Sequence, residues 1–157
     1  DNGGVIVVPA FTVLGAPYWK PEATGTITGL TRGSTTAHIA RAALESIAFQ
    51  SCDVIRAMEK DTGLSVNVIK ADGGAAVNNL LMQIQADYSG IIVERSANIE
   101  TTSLGASYLA GLAVGYWKDR EEIKGHGGID RKFKPVMEKE KVERQIKLWH
   151  RAVEKSY

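Results

Sequence analysis

The sequence carries a single cysteine, Cys52, in 157 residues. A disulfide framework and a multi-cysteine metal site are therefore both excluded. Charge of one sign is also scarce, since 19 Lys+Arg against 18 Asp+Glu leave a net charge of +1. The basic footprint of a nucleic-acid binder, or of a protein held on an acidic membrane surface, is missing. No apolar run approaches the roughly 18 residues that a membrane-spanning helix needs. The opening residues have no signal-peptide pattern, so a soluble, cytoplasmic domain is expected, with neither nucleic acid nor membrane as partner. Walker A, dinucleotide-glycine and metalloprotease patterns do not occur. His38, His126 and His150 lie too far apart in sequence for metal-ligand spacing, and no metal ligands are expected.

What is present is globular composition, 44% hydrophobic and 24% charged. A single domain of this size can bury roughly 70% of the surface of its unfolded chain. The chain opens Asp1-Asn2-Gly3-Gly4 and passes straight into Val5-Ile6-Val7-Val8 without a methionine. A piece of a longer chain is expected.

Apolar periodicity gives an alternating order of elements. Val5 to Phe11 reads as a strand that stops or bulges at Pro9, and Gly25 to Leu30 as a short second strand. Between them lies a turn-rich aromatic loop around Pro17-Tyr18-Trp19, either a binding surface or a buried loop. Ile39, Ala43, Leu44, Ile47, Val54, Ile55 and Met58 recur at mostly helical spacing. They predict a long helix capped by Thr35 or Thr36 and stopped by Gly63. Val66–Ala71 and Ile91–Arg95 read as strands. Helices are expected over about 77–89, closed by Gly90, and from a Thr101 or Thr102 cap to Val114. Small residues at Gly105, Ala106, Ala110 and Gly111 would let the latter pack closely on a sheet or helix. Residues 118–135 read as a charged loop, including the Gly125-His126-Gly127-Gly128 tract, and 138–154 as an amphipathic helix with Trp149 on its apolar side. The order predicts an α/β layer fold with parallel strand pairs.

One stretch can carry chemistry, Lys70-Ala71-Asp72-Gly73-Gly74-Ala75-Ala76-Val77-Asn78-Asn79. A strand runs into two glycines and a helix opens just beyond. Backbone N–H groups at such a place, backed by the helix dipole, attract anions. Glycine lets a ligand approach the backbone closely. Asn78 and Asn79 offer donors and acceptors to a base or ribose. The plain alternative is a tight strand-to-helix turn. Asp72 could meet solvent, cap the loop or steady the glycines. Cys52, on the long helix without a base or second cysteine nearby in sequence, reads as a structural thiol.

The same residues carry a resemblance. Gly25-x-Ile27-x-Gly29-Leu30 followed by His38-Ile39-x-x-Ala42-Ala43-Leu44-Glu45 resembles the C-terminal signature of the FGGY carbohydrate kinases. Val8-Pro9-Ala10-Phe11, Gly15-Ala16-Pro17-Tyr18-Trp19 and Gly29-Leu30-Thr31-Arg32-Gly33 are similar to the members that phosphorylate glycerol. So are Asp72-Gly73-Gly74-Ala75, Asn78-Asn79-x-Leu81-Met82-Gln83-x-Gln85-Ala86-Asp87 and Glu100-Thr101-Thr102-x-Leu104-Gly105-Ala106. Val13, Lys20 and Ser103 depart from the usual residues, none of them in the glycine loop. The resemblance covers nearly the whole chain, through Phe133-x-Pro135.

It implies an actin-like (ribonuclease H-like) ATPase domain, with residues 1–157 forming most of the C-terminal domain and the N-terminal domain absent. It implies transfer of the γ-phosphoryl group of ATP to glycerol, with magnesium, in a homo-oligomeric parent. Gly74 and Asn78 would bind ATP or ADP, while Gly73, Asp72 and Ala75 shape their loop. The catalytic aspartate, the glycerol site and the magnesium ligands would belong to the missing half, leaving the chain alone inactive. A kinase of another sugar or polyol in the family, and a non-catalytic actin-like binding module, remain as alternatives.

Overall fold

The computed structural model describes residues 1–124 and 127–157. Gly125 and His126, part of the expected glycine-rich loop, lie outside the described residues. The chain orders as strand β1 (Ile6–Val8), strand β2 (Thr26–Thr28), helix α1 (Thr36–Thr62), strand β3 (Val68–Ala71), a 3₁₀ turn (Gly74–Val77) and helix α2 (Asn79–Ser89). Strand β4 (Ile92–Ser96), helix α3 (Thr101–Ala113), helix α4 (Arg120–Lys124), strand β5 (Ile129–Phe133) and helix α5 (Lys139–Glu154) complete it.

The strands form two separate small sheets. β1 and β2 pair antiparallel, with Ile6 opposite Thr28, and Pro9 follows directly on β1. β3 and β4 pair parallel, as the strand–helix–strand order requires, and β5 adds antiparallel to β4. The β1–β2 contact is tight at Gly29, whose φ is +78°. A Cβ there would stand 2.0 Å from the Gly4 carbonyl oxygen, so only glycine closes the sheet end.

The expected charged loop over residues 118–135 is corrected. It contains α4 and β5, because pairing with β4 satisfies the β5 backbone while the charges find partners. Lys132 reaches Glu94 at 2.6 Å, and Asp130 reaches Arg95 at 2.6 Å. Glu100, not a threonine, stands at the N-cap of the helix starting at Thr101, and its side chain makes no capping hydrogen bond. Its small-residue face is not packed on another element as expected. None of its residues is buried, and a Cβ on Gly105 would meet open space. Only Gly111 is approached, by the Trp117 ring.

α1 forms for reasons legible in its ends. Thr35 and His38 close a capping box, and Gly63 stops the helix in the left-handed conformation. One core lies between α1, α2, α5 and β1, where Tyr88, Phe49 and Trp149 stack with ring centroids 4.4 and 5.3 Å apart. A second core of Ala76, Leu81, Met82, Ala86, Val93 and Phe133 lies between α2 and the three-stranded sheet. Leu44 packs against both.

Under the stack sits a buried carboxylate, Asp53. Trp149 Nε1 donates to its Oδ2 at 2.6 Å and Tyr18 Oη donates to the same oxygen at 2.7 Å. His150 Nε2 lies 3.1 Å from Oδ1. α5 and the aromatic loop are thus both fastened to α1. Tyr18 is the loop's inward residue, whereas Trp19 is exposed.

Trp149→Ala should destabilise the chain by about 3–5 kcal/mol, from a large cavity beside Phe49. Trp149→Phe keeps most of the packing but removes one donor from Asp53, and should cost about 1–3 kcal/mol. Urea unfolding at neutral pH reads both. Burial pushes the Cys52 thiol up to about 12, and holds Tyr18 and Tyr88 protonated well above the ordinary phenol range. Stability held by the protonated thiol is complete below its ordinary value of 9.0 and is lost as pH rises from there through about 12. Unfolding midpoints should fall over that window, and a thiol reagent at neutral pH should label Cys52 only in urea.

Candidate functional site

β3 ends at Ala71, and the next residues make the turn that the sequence singles out. Gly73 takes φ +86° with ψ 171°, a positive-φ extended conformation that is essentially confined to glycine. Its N–H donates to the Ile99 carbonyl at 2.8 Å. The 3₁₀ turn from Gly74 to Val77 follows, with the Ala76 N–H donating to Gly73 O at 3.0 Å. Ala76 is buried in the second core and anchors the turn from below. Gly74 and Ala75 lie on the exposed side. A Cβ at Gly74 would have nothing within 4 Å, so the space above it is open. First in the turn, the N–H groups of Gly74 and Ala75 have no intrahelical acceptor, and no hydrogen bond among the described residues takes them.

Asp72, Gly73, Gly74, Ala75 and Asn78 therefore come together in one turn. Asp72 accepts a hydrogen bond from the Thr101 hydroxyl at the start of α3, so it steadies the loop. With the bond from Gly73 to Ile99, the segment before α3 braces the turn from one side.

Asn78 stands at the start of the helix, just before its first turn. It is the N-cap of α2, its Oδ1 accepting from Leu80 N at 3.0 Å and Leu81 N at 3.1 Å. The helix N-terminus is thus partly satisfied from within. The amides open to an anion belong to the 3₁₀ turn. The Asn78 Nδ2 group makes no hydrogen bond among the described residues and stays available as a donor. Asn79 is committed elsewhere, since its Oδ1 accepts from Arg95 Nη1 at 2.8 Å.

Arg95 is the residue that sequence reasoning passes over. From the end of β4 its Nη1 also donates to Ala76 O at 3.0 Å and Val77 O at 3.2 Å. These carbonyls close the glycine turn. Its Nε donates to Asp130 Oδ2 at 2.7 Å, and the guanidinium stacks 5.5 Å from the Phe133 ring centroid. The signal available in the sequence is strand alternation. Arg95 shares a strand face with the buried Val93, and an arginine on a core-side position needs partners.

The groups with strongly shifted acidity, Tyr18, Cys52 and Tyr88, lie around the first core and are raised mainly by burial. Around the glycine turn the polar groups are backbone amides, two asparagines, an aspartate bonded to Thr101 and the guanidinium of Arg95. The arrangement suits binding and orienting an anion rather than moving a proton.

Residues 1–114 match the model of the FGGY family of carbohydrate kinases, C-terminal domain, and the chain belongs to that family. It is 58% identical over 156 residues to a glycerol kinase of Clostridium botulinum, covering 99% of this chain and 31% of the relative. It is also 58% identical to a glycerol kinase of Desulfitobacterium hafniense, over 98% of this chain and 31% of that protein. The fold superimposes on a Plasmodium falciparum glycerol kinase solved with ADP, at TM-score 0.88 and 37% identity, over 99% of this chain and 31% of that one. A xylulose kinase of Lactobacillus acidophilus matches at TM-score 0.78 and 26% identity, over 98% and 31%. These neighbours have the actin-like, ribonuclease H-like fold expected from the sequence. The chain spans about a third of the length of the relatives it matches.

Asn78→Ala should cost about 1 kcal/mol of stability through the lost cap. Urea unfolding would measure it, and hydrogen exchange should quicken first at the Leu80 and Leu81 amides.

Proposed function

We propose that this chain supplies the nucleotide side of an ATP:glycerol 3-phosphotransferase, with residues 1–157 as most of its C-terminal domain. The observation that carries the reading is the Gly73-Gly74 turn, which offers two unclaimed amides beneath open space in a chain 58% identical to glycerol kinases. Gly74 would receive ATP or ADP, because a side chain there would fill the space a ligand needs. The Gly74 and Ala75 amides would face its negative charge, and Asn78 Nδ2 would donate to a neighbouring polar group. Gly73 and Asp72 would hold the turn in shape.

Phosphoryl transfer depends on positioning and on neutralising charge, with a base to orient the nucleophile. In this reading the base, the glycerol site and the magnesium ligands come from the remaining two-thirds of the relatives' length, in a cytoplasmic homo-oligomer. Apolar side chains left exposed on α1, at Ile47, Val54 and Met58, support a domain with further elements to pack. A pentulose-directed kinase is the second reading, favoured by the xylulose kinase neighbours at lower identity.

Millimolar MgADP or MgATP should shift the amide resonances of Gly73 through Asn79 and few others, and Gly74→Trp should abolish the shifts. Absence of any shift would refute a preformed half-site. The chain alone should form no glycerol 3-phosphate from ATP and glycerol. Turnover by it would overturn the assignment of the base and acceptor site to other segments.

A further inference from the structure

The turn that would meet the nucleotide does not hold its own shape. A 3₁₀ turn has poor hydrogen-bond geometry and rarely persists unaided. Its last carbonyls, Ala76 O and Val77 O, need donors, and Asn79 needs its side-chain oxygen oriented. One guanidinium meets all three through Nη1, at 3.0, 3.2 and 2.8 Å. The other edge of the same group is occupied by Asp130, with Oδ2 at 2.7 Å from Nε and 2.6 Å from Nη2. Only 13% of the Arg95 side chain is exposed, so the guanidinium itself is held in place, while its partners Val77, Asn79 and Asp130 reach it from the solvent side.

The sheet is irregular in the way this grip requires. Arg95 is registered with Arg131 and Ser96 with Ile129, so Asp130 is the extra residue of a bulge. A bulge re-aims a side chain, and here the re-aimed side chain is the carboxylate that holds the guanidinium. Without Asp130, Arg95 would face Arg131 across the ladder with no carboxylate between the like charges.

We propose that Arg95 is a positioning residue for nucleotide binding. Fixed by Asp130, it holds the Gly74–Val77 turn so that the Gly74 and Ala75 amides and Asn78 Nδ2 point to one ligand. The inference rests on the nucleotide reading of that turn. A lysine cannot replace it, because an ammonium lacks the planar fork that spans two carbonyls and an amide on one edge and a carboxylate on the other.

The test compares wild-type, Arg95→Lys and Arg95→Ala chains, each first verified by urea titration to be fully folded under the binding conditions. Amide exchange at Ala76 and Asn78 is measured without ligand, and MgADP affinity by amide shifts of the folded protein. Arg95→Lys is expected to speed exchange at both amides and weaken MgADP by about tenfold or more, since lost preorganisation is lost affinity. A purely stabilising role would lower the urea midpoint and leave the affinity of folded protein unchanged. Arg95→Lys that binds MgADP as wild type does would overturn the proposal while leaving the nucleotide reading standing. Wild type without any MgADP shift would instead refute the preformed half-site on which the proposal rests. The exchange comparison would still decide whether Arg95 holds the turn.

Discussion

The Asp53 carboxylate is the point on which the first core turns. It is buried, so it must be answered by donors, and they come from far apart in the chain, Tyr18 in the aromatic loop and Trp149 in α5. Satisfying one charge therefore fixes two distant segments on α1. The indole that donates the hydrogen bond also stacks on Phe49, so the polar and apolar requirements select the same placement of α5. Similar economy recurs at Glu45, which takes Asn2 at 2.7 Å and Arg41 at 2.6 Å. Among the described residues no buried side-chain nitrogen or oxygen lacks a partner.

This rigidity reaches the glycine turn through α2. The helix packs against α1 on one side and covers the three-stranded sheet on the other, with Leu44 touching both cores. The turn joins β3 to α2 and so inherits a fixed floor, with Ala76 as its buried contact. Its exposed side is then shaped by polar bonds at both ends, Asp72 to Thr101 before it and Arg95 after it. A site made of backbone amides needs such bracing, since amides can be aimed only by aiming the chain.

Membership of the FGGY family gives this construction a setting. The chain aligns with about a third of each relative, so most of each relative's length has no counterpart in it. What is built here is a glycine turn with two unclaimed amides, standing on a domain with two cores. The apolar stripe on α1 and the bare face of α3 leave surface on which further elements could pack.

Much of this was legible in the residues. Thr35 and Gly63 bracket α1, Gly90 ends α2, and the strand–glycine–helix succession marks the turn, because caps, left-handed stops and apolar periods act over a few neighbouring residues. Five residues proposed for the turn, Asp72 through Ala75 and Asn78, lie together for the same local reason. The order of elements did not reveal that the strands split into two sheets, nor that charged residues 129–133 make a strand. Pairing with β4 and ion pairs to Glu94 and Arg95 decide that, and they act across the fold. Nor did proximity in sequence distinguish Asn78, a cap with one free amide, from Asn79, held by Arg95. The amino-acid sequence by itself determined where helices start and stop and where the chain turns on glycine. Only the tertiary structure decided which charges are buried, which partners answer them and how the turn is aimed, because a buried charge must be matched by whatever donor the fold brings near.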